Sequence, residues 1–379
     1  MGAIPLAATA ASAVAAPKAR ASSPSIGGED ALTLDPLHEA VPFPLGTCVE
    51  HQDMIGVPGK VLSRHFSQMT GENYTKPYAW YNDAKQFVGS AGATEIMDYA
   101  QAHGMRVYGH VLVWHAQTPA WFFQNDDGAP LTNSPADQEI LRGRMRTHIF
   151  SVARYLAMGW GPFGSDTNPL VAWEVVNEVI DNGTSHADGM RRSDWYRVLG
   201  EEFVDLAFEY ADRAFNKVYA DRSADRPVTL FINDYGTENA GKRARYLALV
   251  ERLRGRGAPL DAVGHQFHVN LTTPIAALDA ALDDVAALGL EQAVTELDVP
   301  TGVPVTQPRL VEQGYFYRDA FRVFREHADS LFSVSFWGMN DGGSWRRESG
   351  APLLFTDEFT AKYAFWGVVD VELPPRPPS

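Results

Sequence analysis

Short apolar runs alternate with longer amphipathic segments along most of the chain. The run at 170–178, LVAWEVVNE, is rich in Val and Trp and ends on two polar residues, Asn177 and Glu178. Such a run predicts a strand that is buried on both faces, as in a parallel sheet covered by helices. The predicted strands are 45–50, 64–72, 106–114, 170–178, 229–234, 262–269, 292–299 and 331–338.

The segments between these runs have helical periodicity. In the segment that starts at 274, apolar residues recur at the spacing of one helix face. These residues are Ile275, Leu278, Leu282, Val285 and Leu288. The predicted helices are 92–103, 134–157, 193–217, 239–256, 274–288, 307–327 and a last one near 360–370.

Start and stop signals support several of these helices. Ser134 precedes a proline at a first helical position, and Asp137 can return the capping hydrogen bond. Thr273 also precedes a proline at the start of a predicted helix. Glycines stand where helix C-caps are expected, at Gly104, Gly257 and Gly289.

Strands and helices in this alternation predict one (β/α)8 TIM barrel, an α/β fold, as a single catalytic domain over 37–371. A doubly wound open sheet is the alternative, but no Gly-x-Gly-x-x-Gly sequence follows the first strand. Long polar segments at 116–133 and 179–192 follow the third and fourth strands, and we expect them to form cleft walls on the catalytic face.

Composition narrows the class of partner. The chain has 379 residues, 45% of them hydrophobic, and its net charge is 32 − 47 = −15. This acidic balance argues against nucleic acid and against an anionic membrane surface as partners. Cys48 is the only cysteine of the sequence, so no intrachain disulfide can form. No apolar run reaches the ~18 residues of a spanning helix, so no transmembrane segment is expected. We also expect the protein to be a monomer.

Both ends of the chain have biased composition. Residues 1–36 are rich in Ala, Ser and Pro and are typical of a secretory signal or a disordered tail, and a secretory signal would make the protein secreted. The positively charged start of a signal is missing. Residues 372–379 are proline-rich, which is typical of a frayed end or of a linker to a further module, for example a carbohydrate-binding module.

Two glutamates, Glu178 and Glu296, end two of the predicted buried strands. The carboxyl ends of barrel strands are where chemistry is placed, and a buried carboxylate needs a partner or a task. A pair of carboxylates at this position can cleave a glycosidic bond. From spacing alone, the pair is also compatible with a structural ion pair or with metal ligands.

Other strands end in groups that suit a sugar, namely amides, imidazoles and flat rings. Gln266 and His268 share one strand face, whereas His265 lies on the other. A metal site is not expected, because the pairs His110/His115 and His265/His268 have odd strand spacings that do not converge on one ion. We expect His115 and His265 to support other residues of the site or to have structural roles.

The motifs together resemble glycoside hydrolase family 10, the retaining endo-β-1,4-xylanases, over about 42–370. They occur in the order of that family: Thr70–Lys76, Gly109–Trp121, Trp173–Glu178, Asn233–Tyr235, Gln266–His268, Thr295–Asp298, and Trp337 with Ser344–Arg346. A single motif of this kind is weak support, but seven in order are specific.

The resemblance implies a role for each matching residue. Glu178 would be the general acid/base, and Glu296 the nucleophile of a retaining double displacement. Asn177 would bind the 2-hydroxyl of the sugar that is cleaved. His268 would lie between Glu296 and Asp298 and keep the nucleophile oriented and ionised. No metal or organic cofactor is implied.

The resemblance also implies residues that bind the xylan or xylo-oligosaccharide substrate. His110, Trp114 and Lys76 would bind the sugar that is cleaved, and Glu72 and Asn73 the next sugar toward the non-reducing end.

The remaining implied residues lie on later strands. Trp337 and Trp345 would stack over the cleft, and Trp337 would crowd a hydroxymethyl group and so favour xylose over glucose. Tyr235 and Gln266 would also bind substrate, and Asn233 would brace the strand ends together with Asp298.

The sequence departs from the family pattern at two places. Glu174 replaces the usual Asp, and we expect its side chain to point away from the cleft. Thr75 replaces the usual Met, and the preceding Tyr74 would alter the wall near the distal sugar. Trp121 and Trp173 are expected to pack in the core or a loop.

Two alternatives to a xylanase stay open. One is a related retaining glycosidase that acts on mixed-linkage glucan or on aryl or plant glycosides, for which a less hindered site beside Trp337 would be diagnostic. The other is a barrel that binds polysaccharide without cutting it, which the presence of Glu178, Glu296 and Asn177 argues against.

Overall fold

A closed ring of parallel strands forms the centre of the computed structural model, which describes residues 28–376. The strands are β1 (Leu45–Val49), β2 (Gln68–Gly71), β3 (Arg106–Gly109), β4 (Val113–Trp114), β5 (Leu170–Asn177), β6 (Thr229–Asp234), β7 (Ala262–His265), β8 (Glu291–Leu297) and β9 (Leu331–Phe336). Strands β3 and β4 are two parts of the third barrel strand, because both pair with β5. Strand β1 pairs with β2 and β9, which closes the barrel. The predicted (β/α)8 barrel is confirmed.

Helices follow the strands and cover the outside of the barrel. They are α1 (Gly56–His65), α2 (Ala91–His103), α3 (Pro135–Trp160), α4 (Asp194–Leu199), α5 (Glu202–Arg213), α6 (Ala240–Gly255), α7 (Ile275–Ala286), α8 (Gln307–Glu326) and α9 (Tyr363–Val369). Among residues 28–376, no helix combines the length and the apolar character that crossing a membrane requires.

Some of the predicted element boundaries are wrong. The predicted strand 64–72 begins too early, because its first residues complete α1 and β2 starts only at Gln68. The predicted helix 193–217 is interrupted at Gly200, whose φ of +65° ends α4 before α5 begins. The third barrel strand is interrupted between Gly109 and Val113.

The predicted helix caps are correct only in part. The Ser134 hydroxyl accepts a hydrogen bond from the Asp137 amide at 3.3 Å, but the Asp137 carboxylate binds the Thr132 amide rather than returning the bond. The Thr273 hydroxyl accepts from the Asn270 amide at 3.2 Å and caps no helix. The glycines predicted to follow helices have positive φ angles: Gly104 +64°, Gly257 +81° and Gly289 +66°.

Two apolar regions stabilise the barrel. The larger one lies between the strands and the surrounding helices. The smaller one fills the barrel interior near the amino ends of the strands with Tyr108, Ala172, Phe231, Ala262 and Ala293. Because small alanines alternate with large rings, the interior is packed rather than open, and polar side chains above it stand on a fixed floor.

The folded part extends beyond both predicted boundaries. The Ala31 amide donates to the Phe359 carbonyl at 2.9 Å, and the Ala31 side chain is buried in the main core. At the other end Leu373 is buried, and the Tyr315 hydroxyl donates to the Pro374 carbonyl at 2.8 Å. The tails predicted over 1–36 and 372–379 therefore include residues that belong to the folded part. The secretory signal predicted in the first residues lies outside the described residues, apart from 28–36.

Strand β3 depends on a glycine. A Cβ atom on Gly109 would overlap the indole ring of Trp173, which has no exposed surface and no room to move. We expect Gly109→Ala to lower the free energy of unfolding by about 1–3 kcal/mol, the usual cost of an overpacked core. In contrast, a Cβ on the exposed Gly143 of α3 meets nothing within 4 Å. Gly143→Ala should raise the free energy of unfolding by about 0.5–1 kcal/mol. Urea unfolding followed by circular dichroism measures the change in each of the two variants. Equal effects of the two variants would contradict this packing.

Candidate active site

The polar side chains of the site gather at the carboxyl ends of the strands. Glu178 directly follows β5, and its amide donates to the carbonyl of Asn233 on β6 at 2.9 Å. Glu296 lies in β8 and is only 4% exposed. His268 follows β7 on the neighbouring side of Glu296. The barrel thus brings residues that are far apart in sequence to one edge, as its topology requires.

A continuous chain of hydrogen bonds joins the two glutamates. The Gln266 amide donates to Glu178 Oε1 at 3.2 Å and to Asn177 Oδ1 at 3.1 Å. The Asn233 amide donates to the same Asn177 oxygen at 3.2 Å and to Glu296 Oε1 at 3.0 Å. Two amide side chains therefore set the position of each carboxylate relative to the other. All five residues were selected from the sequence.

His268, together with Asp298, holds the other carboxylate oxygen of Glu296. His268 Nε2 lies 3.0 Å from Glu296 Oε2, and His268 Nδ1 lies 2.8 Å from Asp298 Oδ2. Burial alone would lower the pKa of His268, but the Asp298 and Glu296 carboxylates outweigh it and raise that pKa to about 10. The imidazole is therefore a cation that donates to both carboxylates. Asp298 is held in turn by Arg346 at 2.5 Å and by the Trp345 indole at 3.0 Å.

The cationic His268 offsets the cost of placing Glu296 inside the protein. Burial raises the pKa of Glu296, and the hydrogen bond and charge of His268 oppose that shift. An ionised carboxylate is what a nucleophile requires, and an unpaired buried charge would otherwise be costly.

Glu174 faces the site, so the prediction that it points away is wrong. Its Oε2 lies 2.6 Å from His110 Nδ1, and both side chains are buried. Strict alternation from Asn177 would place Glu174 on the opposite face, but the register of β5 against β6 shifts between Glu174 and Val176. This irregularity allows positions 174 and 177 to face inward together.

The Glu174–His110 pair is uncharged. Burial raises the pKa of Glu174 well above its ordinary value, and burial lowers the pKa of His110 to about 4. The protonated carboxyl therefore donates to His110 Nδ1, which fixes the tautomer with its proton on Nε2. That nitrogen remains available to donate to a substrate hydroxyl.

A group of polar residues lies at the end of the site near β2. The Asn73 amide donates to Glu50 Oε1 at 2.7 Å, and its oxygen accepts from Lys76 at 3.0 Å and from Gln117 at 3.2 Å. The Lys76 ammonium also lies over the Trp114 ring, 5.0 Å from its centre. Asn73, Lys76 and Trp114 were predicted as substrate ligands. Glu50 was missed because it lies outside the recognised motifs, and Gln117 was missed although it lies within the motif Gly109–Trp121.

Glu72 stands beside this group. Burial raises the pKa of Glu72 to about 7, and the nearby Glu50 adds to the shift while Lys76 opposes it. Glu72 thus carries a proton over part of the range in which an ordinary glutamate is ionised.

Thr75, which departs from the family pattern, and the preceding Tyr74 have different surroundings. The Thr75 hydroxyl donates a short hydrogen bond to the carbonyl of His110. The Tyr74 ring lies against Gly92, where a Cβ atom would overlap it, and the Tyr74 hydroxyl accepts from the His51 amide at 3.4 Å. Position 75 therefore supports a predicted substrate ligand directly, and Tyr74 packs against the start of α2.

The two predicted stacking tryptophans differ in exposure. Trp337 is 7% exposed, and its ring stands edge-on to His110 with centres 5.1 Å apart. Trp345 is 59% exposed, although its indole nitrogen is bound to Asp298. Trp337 is therefore a fixed wall, and Trp345 offers a ring face to solvent.

His115 lies beside Glu178, which agrees with the expectation that it supports other residues of the site. Its Nε2 is 3.9 Å from Glu178 Oε2. Residue 115 follows the end of β4, and strand alternation does not apply beyond that end. Arg191 was also missed: it donates to the Glu178 carbonyl at 2.7 Å and to the Tyr235 hydroxyl at 3.1 Å. It lies in the polar segment 179–192, which has no periodicity to interpret.

Three residues with predicted packing or structural roles have them. His265 is buried outside the catalytic group, with Nδ1 2.8 Å from Thr237 Oγ1. Trp173 is fully buried in the main core, and Trp121 packs against that core.

Two groups of possible metal ligands occur within residues 28–376. The first is His110, Glu174 and Glu296, whose donor atoms lie within 4.8 Å of one another, and its members already bond to each other or to His268 and Asn233. The second is Asp279, Asp283 and His327 on the outer helices. The predicted absence of a metal and of a cofactor stays a prediction.

The chain was compared with known proteins. The family model for glycosyl hydrolase family 10 matches residues 34–371. An endo-1,4-beta-xylanase A from Thermoanaerobacterium saccharolyticum is 34% identical over 331 residues, which are 86% of this chain and 27% of that protein. An exoglucanase XynX from Acetivibrio thermocellus is also 34% identical, over 86% of this chain and 28% of its own length. The chain thus spans only about a quarter of these relatives.

Solved structures match over their full length. The crystal structure of an intracellular xylanase from Thermoanaerobacterium saccharolyticum has a TM-score of 0.79 and 33% identity, and the match covers 88% of this chain and 98% of that chain. A mutant of the same enzyme was solved in complex with xylotetraose.

The shifted pKa of Glu72 makes stability depend on pH. An ordinary glutamate titrates near 4.5, whereas folded Glu72 titrates at about 7, so the folded state retains a proton that the unfolded state loses. Stability therefore falls as pH rises through this window, by at most about 3 kcal/mol. Glu72→Gln removes the titration, so its melting temperature relative to wild type should rise between pH 4.5 and pH 8.

Thermal melts of both proteins at the two pH values provide the measurement. Glu348→Gln is the matched control, because the Glu348 side chain is 88% exposed. A relative melting temperature of Glu72→Gln that does not change with pH, as expected for the control, would show that Glu72 is not a buried titrating group.

Proposed function

The chain belongs to glycosyl hydrolase family 10, and on this premise we propose that it hydrolyses internal β-1,4-xylosidic bonds of xylan as a retaining endo-1,4-β-xylanase (EC 3.2.1.8). The observation that carries the proposal is the chain of hydrogen bonds from Glu178 through Gln266, Asn177 and Asn233 to Glu296. It places two carboxylates at one barrel edge, in different surroundings. Unequal surroundings are what an acid and a nucleophile need.

In the first step Glu178 protonates the leaving oxygen while Glu296 attacks the anomeric carbon. The bond between that carbon and the leaving oxygen breaks as the ester bond to Glu296 forms. His268 and Asn233 each donate to Glu296, at 3.0 Å, and so aim one oxygen at the sugar. Water then attacks the glycosyl-enzyme, with Glu178 as the base that removes its proton, and Glu296 leaves as a carboxylate.

Substrate choice is proposed from the fixed wall beside the reacting sugar. Trp337 is buried and wedged against His110, so it cannot turn aside for a hydroxymethyl group. Xylose lacks that group, and glucose carries it. Cleavage of β-1,4-glucan is the second candidate, because a relative with 34% identity is named an exoglucanase. We expect cellohexaose to be cleaved about 10- to 200-fold more slowly than xylohexaose, since excluding a methylene-sized group costs about 1–3 kcal/mol.

The proposal includes three further properties. The protein is secreted, as the Ala-rich start of the sequence suggests, and it acts as a monomer on xylan or xylo-oligosaccharides. Its proline-rich end is compatible with a following carbohydrate-binding module. Cell fractionation of the native host and light scattering of the purified protein test the first two.

The assignment of the nucleophile has a direct test. Glu296→Ala should lower turnover of xylohexaose by at least about 10⁴-fold, because no other group can form the covalent intermediate. Affinity should change by less than about 3-fold, because most of the substrate contacts remain. Calorimetry gives the affinity, and chromatography of the products gives the rate.

Glu291→Ala is a suitable control, because Glu291 is exposed at the opposite, amino end of the same strand. Unchanged turnover in Glu296→Ala would show that the assigned nucleophile is wrong. Loss of affinity and turnover together would show that Glu296 mainly binds substrate.

A further inference from the structure

We propose that Arg191 is a positioning residue for the general acid: it holds the backbone of Glu178 in a left-handed conformation and so keeps the carboxyl aimed at the leaving oxygen. The inference deepens the proposed function and rests on it. The Arg191 Nε donates to the Glu178 carbonyl at 2.7 Å, and one of its terminal nitrogens donates to the Tyr235 hydroxyl at 3.1 Å. The guanidinium thus bridges the ends of β5 and β6.

The Glu178 backbone is in a conformation that needs support. Its φ is +56°, in the left-handed region, where the Cβ atom of a residue other than glycine comes too close to the following carbonyl oxygen. Its amide is held by the Asn233 carbonyl at 2.9 Å, and its carbonyl is held by Arg191. Hydrogen bonds therefore hold both the amide and the carbonyl of Glu178, which lie on either side of its φ and ψ angles.

This conformation explains how two consecutive side chains reach one cleft. In an extended strand, Asn177 and Glu178 would point to opposite faces. The Gln266 amide nevertheless contacts both, at 3.1 Å and 3.2 Å. The left-handed turn at Glu178 makes this possible, so a group that stabilises the turn also determines where the acid points.

Arg191 is itself anchored. Its amide donates to the Val179 carbonyl at 2.8 Å. The Tyr235 hydroxyl that it contacts also accepts from Asn182 at 2.6 Å, and Asn182 accepts from Lys242 at 3.1 Å. The start and end of the segment 179–192 are thereby joined beneath the acid.

The charge of Arg191 has a second effect on the same residue. His115 lies 3.9 Å from Glu178 Oε2, and burial followed by the Arg191 charge lowers the pKa of His115. His115 therefore stays neutral beside the acid, rather than acting as a cation that would hold Glu178 ionised.

The test separates acid catalysis from general loss of structure. Cleavage of phenyl β-xylobioside needs protonation of a poor leaving group, whereas 2,4-dinitrophenolate leaves without it. For Arg191→Met, kcat/KM on the phenyl substrate should fall about 30- to 100-fold, part of the 10²–10⁴ that general acid catalysis supplies. On the dinitrophenyl substrate it should fall less than about 3-fold, because attack by Glu296 is unaffected.

Two further variants complete the experiment. Arg192→Met is the matched control, because its guanidinium binds Asp188 and the Met190 carbonyl and does not contact Glu178. Arg192→Met should change kcat/KM by less than about 2-fold on both substrates. Arg191→Lys keeps the charge but loses the two-pronged bridge, so we expect a smaller selective loss on the phenyl substrate. If Arg191→Met does not fold, Arg191→Lys tests the positioning role of Arg191 by the same comparison of the two substrates.

The outcomes are distinct. Equal losses on both substrates, or no loss on either, would overturn the positioning role of Arg191. Failure of the wild-type protein to cleave either xylobioside would instead overturn the proposed function.

Discussion

A negative charge on Glu296, held almost out of contact with water, is the constraint on which the rest of the site depends. Such a charge is stable only if other groups compensate for lost hydration. His268 compensates as a cation, and it remains a cation because Asp298 binds its other nitrogen at 2.8 Å. Arg346 then balances the second carboxylate at 2.5 Å. Alternating charges therefore run from the reacting atom toward the rim of the barrel.

An uncharged pair of side chains lies on the other side of the nucleophile. Glu174 and His110 are both buried and in contact at 2.6 Å, and for each of them the effect of burial on the pKa outweighs that of the nearby charges. The pair is neutral, and its remaining proton points to where a sugar hydroxyl would lie. One barrel mouth thus contains an ionic pair and a neutral pair around the same carboxylate. This contrast allows one carboxyl group to act as nucleophile while its neighbour serves only to bind.

The barrel and the strand-end residues could be predicted because they depend on local signals. Apolar runs of six to nine residues predict the strands, and parallel topology then brings their carboxyl ends together. Glu174 could not be placed in this way, because the register shift in β5 changes which face a residue occupies. His115 lies beyond the end of a strand, and Arg191 lies in a loop, where no periodicity exists. Thr273 has the sequence of a cap, but its hydroxyl binds a nearer amide. The misses occur where a tertiary contact overrides a local rule, as at Glu174 and Thr273, or where no local rule applies, as at Arg191.

The central claim is that Glu178 and Glu296 act as acid/base and nucleophile in a double displacement. A proton-NMR time course with xylohexaose tests it most directly, because the anomeric signals of the new reducing ends show the stereochemistry before mutarotation. The account predicts that short xylo-oligosaccharides appear first as the β-anomer. Initial appearance of the α-anomer would contradict it, because water would then have attacked the sugar directly and no glycosyl-enzyme would have formed.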